Sequence, residues 1–260
     1  MLLLSFAFLS FITIIKVVSS PSSGFTFAQS IPKEGNSEIQ VIQPEGVDVD
    51  PEGNLYVNDI EPNRIIKFSN NGTYILSWGS TGSNDGQFNH PHGNEVDQDG
   101  NVYITDQGNT RVQKFTSNGT FITKWGSEGS EDGQFIQPWD VAVDSSDLVY
   151  VPDYGNNRIQ VFTNNGTFIT KWGSEGSANG QLNQPAVITF DPPGLLYITD
   201  SGNHRVQTFD KNGTFIAKWG SEGDGDGQFS KPESIAVDHV GHVYVADTTN
   251  NNVQMFIPKS

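Results

Sequence analysis

The sequence predicts an all-β fold, a β-propeller of four-stranded antiparallel blades, and three observations predict it. Pro44, Pro91, Pro138, Pro185 and Pro232 are evenly spaced by 47 residues with no insertion between them, and a fixed period of this length marks a repeat architecture. Every complete period holds four short runs of strand-forming residues separated by turn residues. Asn-Gly stands between the third and fourth runs at Asn71-Gly72, Asn118-Gly119, Asn165-Gly166 and Asn212-Gly213, a strong local signal for a tight hairpin. A meander that is apolar on both faces cannot bury itself alone. Stacking such sheets radially around an axis covers both faces and leaves only short edges.

In chain order, Leu2 to Ile15 form an apolar run that Lys16 ends, short for a bilayer span and suited to the core of an export signal. Residues 1–20 are therefore expected to be a signal peptide or a membrane anchor, with cleavage after Ser20 or after Ala28. Residues 21–260 form the propeller, with repeats starting at 44, 91, 138, 185 and 232. In each repeat the first strand is an apolar run ending in Asp, such as Val47 to Asp50 or Val141 to Asp144. The second reads like Val102 to Asp106, the third like Arg111 to Phe115 and the fourth like Thr120 to Trp125. A type I′ turn, with φ > 0 at both central residues, is expected at each Asn-Gly. The last repeat stops after its third strand, Val253 to Phe256. Phe25 to Pro44 aligns without gaps on Gly213 to Pro232, so residues 25–43 are expected to supply the missing strand and to close a ring of five blades.

Thirty acidic residues against fourteen basic ones give a net charge of −16. Such a surface repels phosphate backbones, which argues against nucleic acid as a partner. The chain has no cysteine, so disulfides, thiol nucleophiles and cysteine zinc sites are excluded. No phosphate loop, dinucleotide fingerprint, nucleophile elbow or HExxH stretch is present.

The repeat from Pro91 to Gln137, with Gly100-Asn101-Val102-Tyr103, Asp106, Gly108-Asn109, Arg111 to Phe115, Trp125-Gly126-Ser127 and Gly133-Gln134-Phe135, resembles the NHL repeat. The resemblance covers roughly residues 25 to 260 and implies a propeller; many propellers of this type have six blades, so five is a departure. It implies an activity far less well, because the fold serves binding domains as well as metal-dependent lyases. Ligase chemistry of the RING type needs cysteines that this chain lacks.

Arg64, Arg111, Arg158 and Arg205 each follow by five residues an Asp, at Asp59, Asp106, Asp153 and Asp200, and are expected to pair with it and fix a turn. Trp78, Trp125, Trp172 and Trp219 are expected to pack between blades. The Asn-Gly-Thr sequons follow from the hairpins and in an exported chain could accept glycan. The acidic Gly-rich loops, such as Glu222 to Gly227, match no full calcium loop.

A symmetric scaffold needs sameness and a site needs difference, so the informative positions are those where the repeats disagree. The residue after each period's proline is Glu45, His92, Trp139, Ala186 or Glu233, and these are expected to ring one mouth of the central channel. Glu45, His92, Trp139 and Glu233 are the candidate ligand-binding residues. Asp48 and Glu95 lie three positions further along, so Glu45, Asp48, His92, Glu95 and Glu233 form a candidate set for a divalent cation, Ca²⁺ or Zn²⁺. The resulting expectation is an exported, monomeric binding module for a protein, small-molecule or glycan partner, touching membrane only through its N-terminal segment. The alternative is a metal-assisted lyase or hydrolase at the same mouth.

Overall fold

The computed structural model describes residues 39–257. The first blade consists of β1 (Pro44–Val49), β2 (Leu55–Asp59), β3 (Arg64–Phe68) and β4 (Tyr74–Trp78). The second has β5 (Pro91–Val96), β6 (Val102–Asp106), β7 (Arg111–Phe115) and β8 (Phe121–Trp125). The third has β9 (Ala142–Val143), β10 (Val149–Asp153), β11 (Arg158–Phe162) and β12 (Phe168–Trp172). The fourth has β13 (Pro185–Phe190), β14 (Leu196–Asp200), β15 (Arg205–Phe209) and β16 (Phe215–Trp219). The fifth has, among the described residues, β17 (Pro232–Val237), β18 (Val243–Asp247) and β19 (Asn252–Phe256). Every sheet is an antiparallel meander in sequence order, as a period with short turns and no crossover segment requires. The expected signal segment, and the expected closing segment 25–43 up to residue 38, lie outside the described residues. Among the described residues no helix is long and apolar enough to cross a membrane.

The second and third strands of the inner blades read as near-continuous buried runs, because both of their faces are covered by neighbouring blades. Val102 to Asp106 and Arg111 to Phe115 are buried throughout. The fourth strand alternates instead, with Ile122 exposed between half-buried neighbours, since it forms the outer rim. Core clusters bridge blades: Ile65 of the first packs with Phe88, Val102, Ile104 and Phe115 of the second.

Two recurrent devices lock one blade to the next. The Arg111 Nε donates to Asp106 Oδ2 at 2.7 Å, while its terminal nitrogens donate to the carbonyls of Ser83, Asn84 and Gln87 in the connection from the preceding blade. Arg158 and Arg205 repeat the pattern, so the expected Asp–Arg pair fixes an interblade loop as well as its own turn. The second device is the hairpin, where the structure corrects the expected turn type. Gly119 has φ +79°, but Asn118 is absent from the left-handed region, and the Gly119 N–H donates to the Thr116 carbonyl at 2.9 Å. One residue with positive φ following a four-residue turn, with a register shift between Lys114 and Phe115, is a type I turn with a bulge. The Asn118 amide oxygen instead accepts from the Thr120 hydroxyl at 3.0 Å, holding the turn through a side chain.

Candidate functional site

The first strands stand side by side around the axis and carry the candidate residues. Each long first strand breaks register just after its proline, between Pro44 and Val47 in β1, Pro91 and Asn94 in β5, and Pro185 and Ile188 in β13. The irregularity takes Glu45, His92 and Ala186 out of the regular ladder and re-aims their side chains. In the third blade the ladder starts only at Ala142, and Trp139 is tied by its N–H to the Pro152 carbonyl at 3.1 Å. Two glycines permit the close approach of these segments. A Cβ at Gly46 would lie 2.4 Å from the His92 carbonyl, and one at Gly93 would lie 2.3 Å from Asp140 Oδ1.

The side chains form two contacting groups that act on each other through charge. Glu45 Oε2 lies 3.5 Å from His92 Nε2 and 3.8 Å from His90 Nδ1. His92 meets Trp139 with ring centroids 4.4 Å apart, and Trp139 stacks on Tyr154 at 4.4 Å with 20° between the planes. The Tyr154 hydroxyl feels the charges of Lys231 and Glu233, Lys231 Nζ lies 2.5 Å from Glu233 Oε1, and Glu233 in turn acts on Glu45. Direct contacts thus run from Glu45 of the first blade through His92 of the second to Trp139 and Tyr154 of the third, and the Lys231–Glu233 pair of the fifth acts on both ends of this row through its charge. The fourth blade contributes Ala186, fully buried, and no bulk.

Electrostatics at the mouth are those of a desolvated acidic site. Burial raises the Glu45 carboxyl, with His90 opposing the rise and Glu233 adding to it. Burial and the neighbouring His90 lower His92 to about 3, so its imidazole is neutral at physiological pH and can accept or donate a hydrogen bond without carrying charge. Four polar atoms here are buried with no hydrogen-bond partner: Glu45 Oε2, His90 Nδ1, Gln107 Nε2 and Thr248 Oγ1. Gln107 sits beside His90 through its N–H on the His90 carbonyl at 3.3 Å, and Thr248 sits beside Lys231 through its N–H on the Lys231 carbonyl at 3.0 Å. Buried polar groups are ordinarily satisfied, and convergent unsatisfied ones mark a place where something else supplies the bonds.

Asp48 and Glu95 answer to a different neighbour. Asp48 Oδ2 accepts the Val96 N–H at 2.7 Å, Glu95 accepts the Val143 N–H, and Asp140 Oδ2 accepts the Ile188 N–H at 3.1 Å. Each carboxylate therefore bridges from one first strand to the next. Burial lifts Asp48 to about 6 and Asp140 to about 7, and it lifts Glu95 well above its ordinary value, with Asp48 and Asp140 adding to that rise. Of the five candidate metal ligands, Glu45, His92 and Glu233 belong to the mouth, whereas Asp48 and Glu95 couple to each other and to Asp140. Among the described residues no group of three His, Asp or Glu side chains could hold one metal ion. Two further histidines have local partners away from the mouth: His204 Nδ1 lies 2.6 Å from the Ser230 carbonyl and His242 Nδ1 lies 2.9 Å from Asp238 Oδ2.

Sequence reasoning missed Tyr154, Lys231 and Asp140. Tyr154 and Asp140 follow the same rule that found the others. The repeats read Ile60, Gln107, Tyr154, Ser201 and Thr248 at one position, and Gly46, Gly93, Asp140, Val187 and Ser234 at the other. Disagreement was visible at both.

Comparison with known proteins gives the following. The family model of the NHL repeat matches residues 88–115 and 135–162, and a family described as a 6-bladed beta-propeller matches residues 182–256. No curated protein matches. Among solved structures, a streptogramin B lyase superposes with TM-score 0.62 at 16% identity, over 83% of this chain and 69% of the other. A catalytically inactive variant of virginiamycin B lyase from Staphylococcus aureus with quinupristin gives 0.60 at 16% identity, over 84% and 71%. A protein of unknown function from Bacteroides caccae gives 0.59 at 12% identity, over 79% and 70%. At these identities the likeness is one of fold.

Proposed function

For a chain that carries NHL repeats and folds as a five-bladed β-propeller, we propose the work of a binding module, with its ligand or protein partner held at the channel mouth by Glu45, His92, Trp139 and Glu233. The observation that carries this reading is the row of unlike, half-buried side chains from Glu45 through His92 and Trp139 to Tyr154, with buried atoms that have no hydrogen-bond partner, on a scaffold of repeated blades. Aromatic surface with a few converging polar groups is the composition of a recognition site. Export belongs to the same proposal and rests on the apolar run from Leu2 to Ile15; mass spectrometry of the mature chain from its native host tests it, with an intact Met1 counting against a cleaved signal. The module reading is tested by screening a fragment library by NMR against the folded protein. Hits should shift the Trp139 indole and His92, and binding of each should be lost in Glu45→Ala, His92→Ala or Glu233→Ala. Hits that survive all three substitutions would sink the assignment.

A second reading is a metal-assisted lyase or hydrolase. It is motivated by the neutral His92 imidazole beside Glu45 and by two fold relatives that are lyases. It expects Zn²⁺ or Ca²⁺ near one equivalent when protein purified without chelator is measured by elemental mass spectrometry, and loss of that metal in His92→Ala. A metal-free, fully folded protein leaves the binding module alone in the field.

A further inference from the structure

We propose that the mouth selects an organic cation, an ammonium or guanidinium group carried by a small amine or by a basic peptide side chain; this rests on the binding-module reading above. The chemistry divides the mouth into two walls. One is the aromatic row of His92, Trp139 and Tyr154, half-buried and continuous, against which the carbon body of a ligand can lie. The other is formed by the carboxyl groups of Glu45, beside His92 at 3.5 Å, and Glu233, whose charge raises Glu45. An aromatic surface beside desolvated carboxylates favours a weakly hydrated cation and disfavours an anion, which would meet like charge in a low-dielectric site.

The mouth already holds one such group, from the chain itself. Lys231 Nζ sits 2.5 Å from Glu233 Oε1 and acts on the Tyr154 hydroxyl, so an ammonium occupies the junction of the acidic and aromatic walls. That side chain is 46% exposed, and a pair so open is held weakly. Lys231 can leave, and a ligand cation that also covers the aromatic row would take its place. The buried Glu45 Oε2, which accepts no hydrogen bond and has only the two imidazoles at 3.5 and 3.8 Å beside it, offers that cation a second acceptor.

The experiment uses the folded chain and follows the Trp139 indole N–H by NMR during titration with butylammonium and with N-acetyl-arginine amide. Butanol and butyrate serve as neutral and anionic counterparts of the amine. Both cations, or one of them, should shift the Trp139 signal, with affinity falling about tenfold in Glu233→Gln and in Glu45→Gln. Lys231→Met removes the competing ammonium and should tighten cation binding several-fold, an effect that a purely structural role of Lys231 would not produce. Butylammonium alone assigns a free amine, and the arginine derivative alone assigns a basic peptide. Should butanol or butyrate shift Trp139 as strongly as butylammonium, the cation inference is overturned while the mouth remains a binding site. Should no probe of any charge move Trp139, both fall.

Discussion

At the scale of single residues, the unusual feature is a line of carboxyl groups held in a setting that opposes their ionisation. Asp140 is lifted to about 7 from an ordinary 3.8, first by burial, against the two backbone amides that bond its charged form. Between those values the folded chain keeps a proton that the unfolded chain has lost. Stability contributed by this group therefore falls as pH rises from about 4 to about 7 and is level above that. Asp140→Asn retains an oxygen to accept the Ile188 N–H and removes the charge. It should be more stable than the parent at pH 8, by on the order of 1–4 kcal/mol, and close to it at pH 4. Thermal melts of both proteins across this range measure the difference. A parent and variant with parallel pH profiles would show that Asp140 ionises freely.

At the scale of elements, the hairpin glycines carry two duties that can be separated. Gly166 has φ +87°, and a Cβ there would lie 2.6 Å from the ring of Trp125 in the preceding blade. Gly119 stands in the same way against Trp78, and Gly213 against Trp172. Gly133 has a similar φ, +79°, with nothing within 4 Å of a Cβ. Gly133→Ala should cost only the left-handed backbone penalty, about 1 kcal/mol. Gly166→Ala adds overpacking against an indole and should cost about 2–4 kcal/mol in total. Chemical denaturation of both variants gives the comparison, and equal losses would mean that Trp125 yields freely. The same elements show how far sequence reasoning reached. The second and third strands were legible because their ends are marked by Asp and Arg and their interiors are β-branched and aromatic. The turn type was not, since Asn-Gly serves two hairpin geometries and the choice depends on the flanking Thr hydroxyls and the bulge. The mouth residues Glu45, His92 and Glu233 were legible as departures from the repeat. Tyr154 was legible by the same rule, but its stacking on Trp139 was not, because a departure from the repeat does not say which neighbour the side chain meets. The separation of Asp48 and Glu95 from the Glu45 set was also hidden, because it depends on which backbone amides each carboxylate reaches.

At the scale of the whole molecule, the five blades are not equally enclosed. Val206 and Thr208 of the fourth blade are buried, whereas Val253 and Met255 at the same positions of the fifth are 38% and 54% exposed. On the first blade Val47 and Val49 are 47% and 55% exposed, where Val141 and Val96 at corresponding positions of other blades are buried. The apolar faces left open thus belong to the first and last blades, which must face each other in a ring. The charge of Glu233 in the fifth blade raises the carboxyl of Glu45 in the first, while the apolar positions of both blades remain partly uncovered. The fifth blade has three strands among the described residues, and the alignment of Phe25 to Pro44 on Gly213 to Pro232 gives the chain a segment of matching pattern. A strand added there would supply the missing hairpin partner of β19 and cover apolar surface at the seam. Deleting residues 21–30 should therefore lower the melting temperature by at least about 5 °C, the shift that one or two kcal/mol produces in a domain of this size. It should also loosen the seam first, so that hydrogen exchange rises in β17 to β19 and in β1 before it rises in β10 and β14. An unchanged melting temperature would refute strand donation from the N-terminal segment. A lower one with exchange raised uniformly across all five blades would show that the segment contributes stability without closing the ring at this seam.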